Sequence, residues 1–122
     1  MHNKTVFIAE GEKHVLKALQ LSLANQTDFV IQGEAGHAES LLAQVCAQPP
    51  DVILLDWNLP GINPQRLIQT LRKHCPAAVL VATSVKPEHE KYAEDYGMDG
   101  FLSKQGSPDE FMEELKAITN RS

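Results

Sequence analysis

Val52-Ile53-Leu54-Leu55-Asp56 is a run of four apolar residues that ends on a carboxylate. A continuous apolar run is typical of a strand in a parallel sheet, because helices cover both faces of such a sheet. Pro49-Pro50 ends the helical pattern before it, since proline cannot donate to the helical hydrogen-bond ladder. Asn63-Pro64 begins the helical pattern after it, with asparagine as the cap and proline in the first turn. The middle of the chain is therefore predicted to be helix, buried strand, helix.

The same alternation continues toward both ends of the chain. The other predicted strands lie at residues 6–9, 29–31 (broken by Gly33), 77–82 and 101–102, and the other helices at 14–24, at 38–46, from Pro87 to a left-handed cap at Gly97, and from a capping box at Ser107. A strand followed by a helix, repeated five times, predicts an α/β fold. The strands form a doubly wound parallel sheet with helices on both faces, since each crossover must be long and right-handed.

Size and charge limit the classes of protein. The chain of 122 residues fits one domain, residues 1–122, and its net charge of −5 gives no basic stripe for nucleic acid. No apolar run approaches the roughly 20 residues that span a bilayer. The start, Met1 to Lys4, lacks the layout of a signal peptide. We expect a soluble cytoplasmic domain that contacts neither membrane nor nucleic acid directly.

The two cysteines do not form a recognisable motif. Cys46 and Cys75 are far apart in sequence and lack the spacing of a redox or metal-binding pair. Both fall on the apolar side of a predicted helix. Because free cysteine prefers protein interiors, we expect two buried thiols.

Polar side chains follow four of the predicted strands. Glu10 follows the first strand, Asp56 the third, Thr83-Ser84 the fourth and Lys104 the fifth. A doubly wound sheet binds its ligand outside the carboxyl ends of its strands. One polar residue at a strand end is ordinary, but four from different strands predict a site at that edge of the sheet.

This set of groups suits phosphoryl transfer. A carboxylate such as Asp56 can attack phosphorus and form an acyl phosphate. The transferred group carries spread negative charge, which Lys104 can neutralise and a hydroxyl of Thr83 can hydrogen-bond. A divalent ion held by acids could supply the remaining charge, and Mg²⁺ prefers few carboxylates together with waters and phosphate oxygens.

These residues resemble a bacterial response-regulator receiver domain over essentially the whole chain. The matching stretches are Val6 to Glu10, Asp56-Trp57-Asn58-Leu59-Pro60-Gly61, Ala82-Thr83-Ser84 and Gly100 to Lys104. The segment from Leu102 to Pro108 is more similar to receivers of NarL/LuxR-type regulators than to other branches. The resemblance implies a flavodoxin-like, five-stranded sheet of order 2-1-3-4-5 with five helices.

The resemblance also assigns roles to residues. Asp56 corresponds to the phosphoryl acceptor, Thr83 to the hydroxyl that binds the phosphoryl group, and Lys104 to the lysine that pairs with it. The backbone carbonyl of Asn58 and the carboxylates of Asp56 and Glu10 would hold Mg²⁺, with Glu10 acting through water.

Phe101 resembles the switch aromatic, which in the family turns inward when the threonine moves. The alternative is that Phe101 is ordinary core packing. If it is the switch, the surface of the fourth helix, fifth strand and last helix changes its affinity for an effector domain or a second copy. The phosphodonor would be a histidine kinase or a phosphotransfer protein.

Two positions depart from the family pattern. Gly11 stands where the family has a second acid, which removes one metal ligand and predicts weaker Mg²⁺ binding. Glu12 either replaces that acid or, in the first helical turn, interacts with the helix dipole. Gln105 replaces a common proline, which disfavours a cis peptide bond there.

Three functions follow from these observations. The first is a phosphorylation switch that at most catalyses its own phosphorylation and dephosphorylation. The second, motivated by Gly11, is an atypical receiver that acts as a phosphate-independent interaction or dimer module. The third is a flavodoxin-like electron carrier, which is disfavoured because Glu10 and Glu12 would repel a phosphate after the first strand.

Overall fold

Five strands alternate with five helices in the computed structural model, which describes residues 3–121. The elements are β1 Lys4–Ala9, α1 Lys13–Ala24, β2 Phe29–Ala35, α2 Ala38–Ala47, β3 Val52–Asp56, α3 Pro64–His74, β4 Val79–Ser84, α4 His89–Asp95, β5 Gly100–Ser103 and α5 Pro108–Asn120. The strands are parallel in the order β2-β1-β3-β4-β5, which confirms the predicted fold. Met1 and His2, part of the start that suggested no signal peptide, lie outside the described residues, as does Ser122.

The sheet separates two apolar layers. Alternate residues of each strand point to opposite faces, so Ile53 packs toward α2 and α3 while Leu54 packs toward α1 and α5. All five residues of β3 are buried, as its apolar sequence predicts. In the described part of the chain, no helix is long and apolar enough to cross a membrane. The helices therefore pack on the sheet and leave its carboxyl edge as the place where polar side chains emerge.

Two predicted strand boundaries were wrong. β2 does not break at Gly33: the pairing moves from Val6–Ile31 to Phe7–Gly33, so Gln32 is an extra residue and the strand continues through a bulge. Gly33 is needed there because a Cβ atom would lie 2.9 Å from the Phe7 ring. β4 begins at Val79, two residues later than predicted, because the Ala78 N–H closes a turn onto the Cys75 carbonyl.

One side chain also differs from the prediction. Cys75 is buried, but Cys46 is exposed. The buried face of α2 passes through Leu41 and Val45, and Cys46, the next residue, is rotated about 100° away from it. In α4, Ala93 is the buried residue, whereas Tyr92 is 52% exposed.

The fifth strand depends on a close approach to the last helix. A Cβ atom at Gly100 would lie 2.5 Å from Cδ1 of Ile118 and 2.9 Å from its Cγ atoms. We therefore expect Gly100→Ala to lower the free energy of unfolding by about 1–3 kcal/mol, the usual effect of overpacking. Urea denaturation would measure the change.

Gly106→Ala is the matched control for this substitution. Its Cβ atom would meet the Glu110 carboxylate at 3.9 Å, an ordinary contact. We expect it to leave stability nearly unchanged. Equal stability of the two variants would contradict the packing constraint on β5.

Candidate functional site

The Lys104 ammonium joins three strand ends. Its Nζ atom lies 3.0 Å from Oδ1 of Asp56 and 2.7 Å from Oε1 of Glu10. Its backbone N–H donates to the Ser84 carbonyl at 2.9 Å, which continues the β4–β5 pairing by one residue. The structure thus brings together the side chains that follow β1 and β5 and the one that ends β3.

Burial makes the charges of this cluster consequential. Glu10 is 2% exposed, Asp56 is 7% exposed, and the Lys104 side chain is 13% exposed. Two carboxylates and one ammonium leave a net charge of −1 when all are ionised. Burial raises the pKa of Glu10, and the nearby Asp56 charge raises it further, while the hydrogen-bonding Lys104 opposes both. The cluster is therefore short of positive charge.

A tight turn holds the Asp56 carboxylate at the end of β3. The Asn58 N–H donates to Oδ1 of Asp56 at 3.1 Å, and the Leu59 N–H donates to the Asp56 carbonyl at 3.0 Å. The side chain of Asp56 is thus fixed by its own segment as well as by Lys104. Asn58 itself is exposed, so its backbone lies at the surface of the site.

Thr83 lies beside Asp56 in the sheet. The two residues are partners in the β3–β4 register, so their side chains leave the same face. The Thr83 side chain is almost fully buried, and its carbonyl accepts from the Trp57 N–H at 2.9 Å. The predicted hydroxyl therefore lies next to the predicted acceptor.

Glu12 does not replace the missing acid. Its carboxylate accepts the backbone N–H groups of His14 and Val15, both at 3.1 Å, and so caps α1. Glu12 is thus the cap residue and lies one position before the first helical turn. At Gly11, a Cβ atom would lie 3.3 Å from the Gly36 carbonyl oxygen, so a side chain fits with a small adjustment.

The donor set suits a single divalent cation held weakly. Among residues 3–121, no group of three or more Asp, Glu, His or Cys side chains is arranged to hold a metal ion. Oε1 of Glu10 is buried, and the partner that the structure gives it is the Lys104 ammonium at 2.7 Å, which it shares with Asp56. Two carboxylates and a backbone carbonyl of Asn58 match the few protein ligands that Mg²⁺ takes.

Phe101 lies apart from this cluster. It is half-buried, packs against the apolar layer that contains α2 and α3, and forms part of the floor of a cavity of about 540 Å³ between α4, β5 and α5. Phe101 is therefore both a packing residue and part of an open surface.

All peptide bonds of the described residues, including that before Gln105, are trans.

A polar and aromatic group next to the cluster was not predicted from the sequence. Ser84 is hydrogen-bonded to His89, and the Trp57 ring contacts the rings of His89 and Tyr96. The sequence signal for it was weak, because only side-chain packing brings the residues after β3 and β4 against α4.

Comparisons with known proteins agree with this geometry. The family model for the response regulator receiver domain matches residues 6–116. EvgA of Escherichia coli K12, a DNA-binding transcriptional activator, is 28% identical over 101 residues, which are 81% of this chain and 50% of EvgA. KdpE of Mycobacterium tuberculosis H37Rv, a transcriptional regulatory protein, is 30% identical over 118 residues, 96% of this chain and 51% of KdpE. The chain thus spans about half the length of the curated relatives it matches.

A solved structure shows the same fold. The signal receiver domain of NarL from Mycobacterium tuberculosis superimposes with a TM-score of 0.87 at 20% identity, over 98% of both chains. NarL of Escherichia coli K12, a nitrate/nitrite response regulator, is 26% identical over 113 residues, 91% of this chain and 52% of NarL, which agrees with the branch that residues 102–108 predicted. The flavodoxin-like arrangement of the sheet is therefore shared with proteins of low sequence identity.

The raised pKa of Glu10 makes the stability of the domain depend on pH. Because the folded-state pKa lies above the ordinary value of 4.5, the native state loses stability as the pH rises from 4.5 through the raised pKa. Glutamine cannot ionise, so Glu10→Gln should be more stable than the wild type at pH 7. The advantage should disappear at or below pH 4.5. Urea denaturation between pH 4 and 8 would measure it.

Glu12→Gln should show the opposite sign and serves as the control. Hydrogen bonds from the His14 and Val15 N–H groups lower the pKa of Glu12, so its contribution is present above pH 4.5 and lost as the pH falls through the lowered pKa. This variant should be less stable than the wild type at pH 7. A destabilised Glu10→Gln protein at pH 7 would contradict the charge deficit of the cluster.

Proposed function

Because the chain belongs to the response regulator receiver domain family, whose members serve as switches in phosphorelay signalling, we propose that it accepts a phosphoryl group on Asp56. The observation that carries this proposal is the 3.0 Å contact between Oδ1 of Asp56 and the Lys104 ammonium at the open edge of the sheet. A buried carboxylate beside a fixed positive charge suits the attack on phosphorus and the binding of its product. Family membership also sets aside the electron-carrier hypothesis.

The proposed reaction forms one bond and breaks one. Oδ1 of Asp56 accepts both the Lys104 ammonium and the Asn58 N–H, so we assign the attack to Oδ2. The new bond joins Oδ2 to phosphorus, and the bond between phosphorus and the donor atom breaks, with its electron pair leaving on the donor. Lys104 then pairs with a phosphoryl oxygen, and the Thr83 hydroxyl donates to another. In this sense the domain catalyses its own phosphorylation.

A divalent cation completes the proposed site. Glu10, Asp56 and the backbone carbonyl of Asn58 would hold Mg²⁺, with Glu10 acting through water. When bound, the ion neutralises negative charge on the transferred group. The excess negative charge of two carboxylates that share one ammonium supports this assignment, and the absence of a side chain at Gly11 supports weak affinity.

We propose a histidine kinase or phosphotransfer protein as the phosphodonor, and hence a cytoplasmic location. The output surface is formed by α4, β5 and α5, where Phe101 lines the cavity described above. Glu90, Glu94 and Glu114 line this cavity, and Arg121 is the one cation among its lining residues. The surface therefore favours a basic effector over a second, equally acidic copy. The net charge of −5 supports an output without direct contact to nucleic acid.

The phosphate-independent alternative explains Gly11 but leaves the Lys104 geometry without a purpose. A buried ammonium shared by two carboxylates is costly unless it serves them, because each charge loses its hydration. An interaction module would need none of the three buried charges of Lys104, Glu10 and Asp56. We therefore favour the phosphorylation switch.

Phosphorylation can be tested on the intact protein. With millimolar Mg²⁺ and a small-molecule phosphodonor such as acetyl phosphate, intact mass spectrometry should show a gain of one phosphoryl group. Asp56→Asn should abolish the gain because it removes the nucleophile. Asp51→Asn, which alters an exposed carboxylate bound to Thr5, should keep it.

The test has a clear negative outcome. Absence of a mass gain in the wild type at millimolar Mg²⁺ would favour the phosphate-independent module. A gain that persists in Asp56→Asn would place the modification elsewhere.

Restoring the second acid should strengthen cation binding. The backbone of Gly11 is not left-handed, and its Cβ contacts are 3.3 Å and 3.5 Å, so Gly11→Asp is accommodated with a small shift. We expect the dissociation constant for Mg²⁺ to fall roughly tenfold, because the variant adds a carboxylate ligand. Because Trp57 neighbours the site, its fluorescence would measure Mg²⁺ binding during the titration.

Gly11→Ala is the matched control because it adds the same Cβ atom without a carboxylate. Its affinity for Mg²⁺ should remain that of the wild type. Equal affinity of Gly11→Asp and Gly11→Ala would rule out residue 11 as the missing ligand position.

A further inference from the structure

Ser84 ties the end of β4 to the beginning of α4. Its Oγ atom is 2.7 Å from Nδ1 of His89 and accepts the Lys86 N–H at 3.0 Å. Ser84 is 1% exposed, so this hydrogen bond is shielded from water on the serine side. The bond joins the two residues that flank the segment 85–88.

Trp57 ties the end of β3 to the same helix. Its ring centroid lies 5.6 Å from that of His89 and 5.9 Å from that of Tyr96, on which it is stacked with an interplanar angle of 11°. Trp57 is 9% exposed and is part of the apolar layer that contains α2 and α3, so its ring is held in place. His89 is thus held by one residue after β3 and by the last residue of β4.

α4 has few other attachments. It contains seven residues, Ala93 is its buried residue, and its N-cap residue Glu88 makes no side-chain capping bond. A helix that buries so little apolar surface gains little from the core. The hydrogen bond and ring contacts of His89 are therefore a large part of what positions the start of α4.

Both attachments adjoin the residues that would contact the phosphoryl group. Ser84 follows Thr83, Trp57 follows Asp56, and the Trp57 N–H donates to the Thr83 carbonyl at 2.9 Å. Any movement of Thr83 toward a phosphoryl group on Asp56 must carry Ser84 with it. The Ser84 hydroxyl would then move relative to His89, whose ring is held by Trp57.

We propose that His89 is a positioning residue whose hydrogen bond to Ser84 holds Thr83 in its unphosphorylated position. Binding of a phosphoryl group at Asp56 has to break this bond, and the break releases the first turn of α4. The inference rests on the proposed function, because it assigns Asp56 and Thr83 the roles given above. It adds a coupling between phosphorylation of Asp56 and the position of α4 that does not involve Phe101.

The substitutions at residue 89 separate the hydrogen bond from the ring contact. His89→Phe keeps a ring against Trp57 and loses the bond to Ser84. His89→Asn loses the ring but keeps a polar atom near the place of Nδ1. Tyr92→Ala removes an exposed ring of the same helix that contacts Tyr96 and is the unrelated control.

The measurement is the affinity for beryllofluoride, a mimic of the phosphoryl group, at saturating Mg²⁺ by calorimetry. We expect His89→Phe to bind roughly three- to tenfold more tightly than the wild type, the change that one hydrogen bond of ordinary net strength gives. His89→Asn and Tyr92→Ala should bind as the wild type does. Ser84→Ala should bind at least as tightly as His89→Phe, because it removes the same bond and also the one from the Lys86 N–H. The double variant should bind no more tightly than Ser84→Ala.

Each outcome decides between the proposals. Unchanged or weaker binding by His89→Phe overturns the role of His89, and so does equal tightening by His89→Asn, because the ring rather than the bond would then matter. Failure of the wild-type protein to bind beryllofluoride overturns the proposed function, and the role of His89 with it. If Ser84→Ala does not fold, the pair at residue 89 still gives the answer.

Discussion

The ammonium of Lys104, placed between two buried carboxylates, is the interaction on which the site depends. It lies within 3.0 Å of both Glu10 and Asp56. Without it, two negative charges would share a buried space, and one of them would take up a proton. With it, the cluster keeps a single excess negative charge. This charge is small enough for the domain to stay folded and large enough to attract a cation.

The sheet topology makes this arrangement possible. β1 and β3 are neighbours, so Glu10 and Asp56 emerge side by side, but β5 is separated from β3 by β4. A long side chain at the end of β5 is needed to reach across, and lysine has the length. The reach also requires β5 to be seated firmly, and the absence of a Cβ atom at Gly100 lets Ile118 of α5 close on it.

The strand-end residues were predictable because each follows an apolar run, and parallel strands bring their carboxyl ends to one edge. The alternation of strand and helix likewise identified the fold. What was not predictable depended on side-chain direction: Cys46 lies one residue beyond the buried face of α2 and is exposed. The group of Ser84, His89 and Trp57 joins the ends of two strands to a helix, and no periodic pattern marks such contacts. Glu12 could have been either ligand or cap, and the hydrogen bonds of the first turn of α1 decide for the cap.

Gly11 changes the electrostatic balance of the site rather than simply impairing it. A second acid there would bring the ionised cluster from a charge of −1 to −2, which would strengthen cation binding and weaken the cation-free fold through repulsion with Glu10 and Asp56. With glycine, Lys104 alone offsets half of the buried negative charge. The incoming phosphoryl group, which is itself negative, then meets less repulsion but also finds less help from a bound cation. Lys104 therefore carries a larger share of the neutralisation in this chain than it would beside two acids.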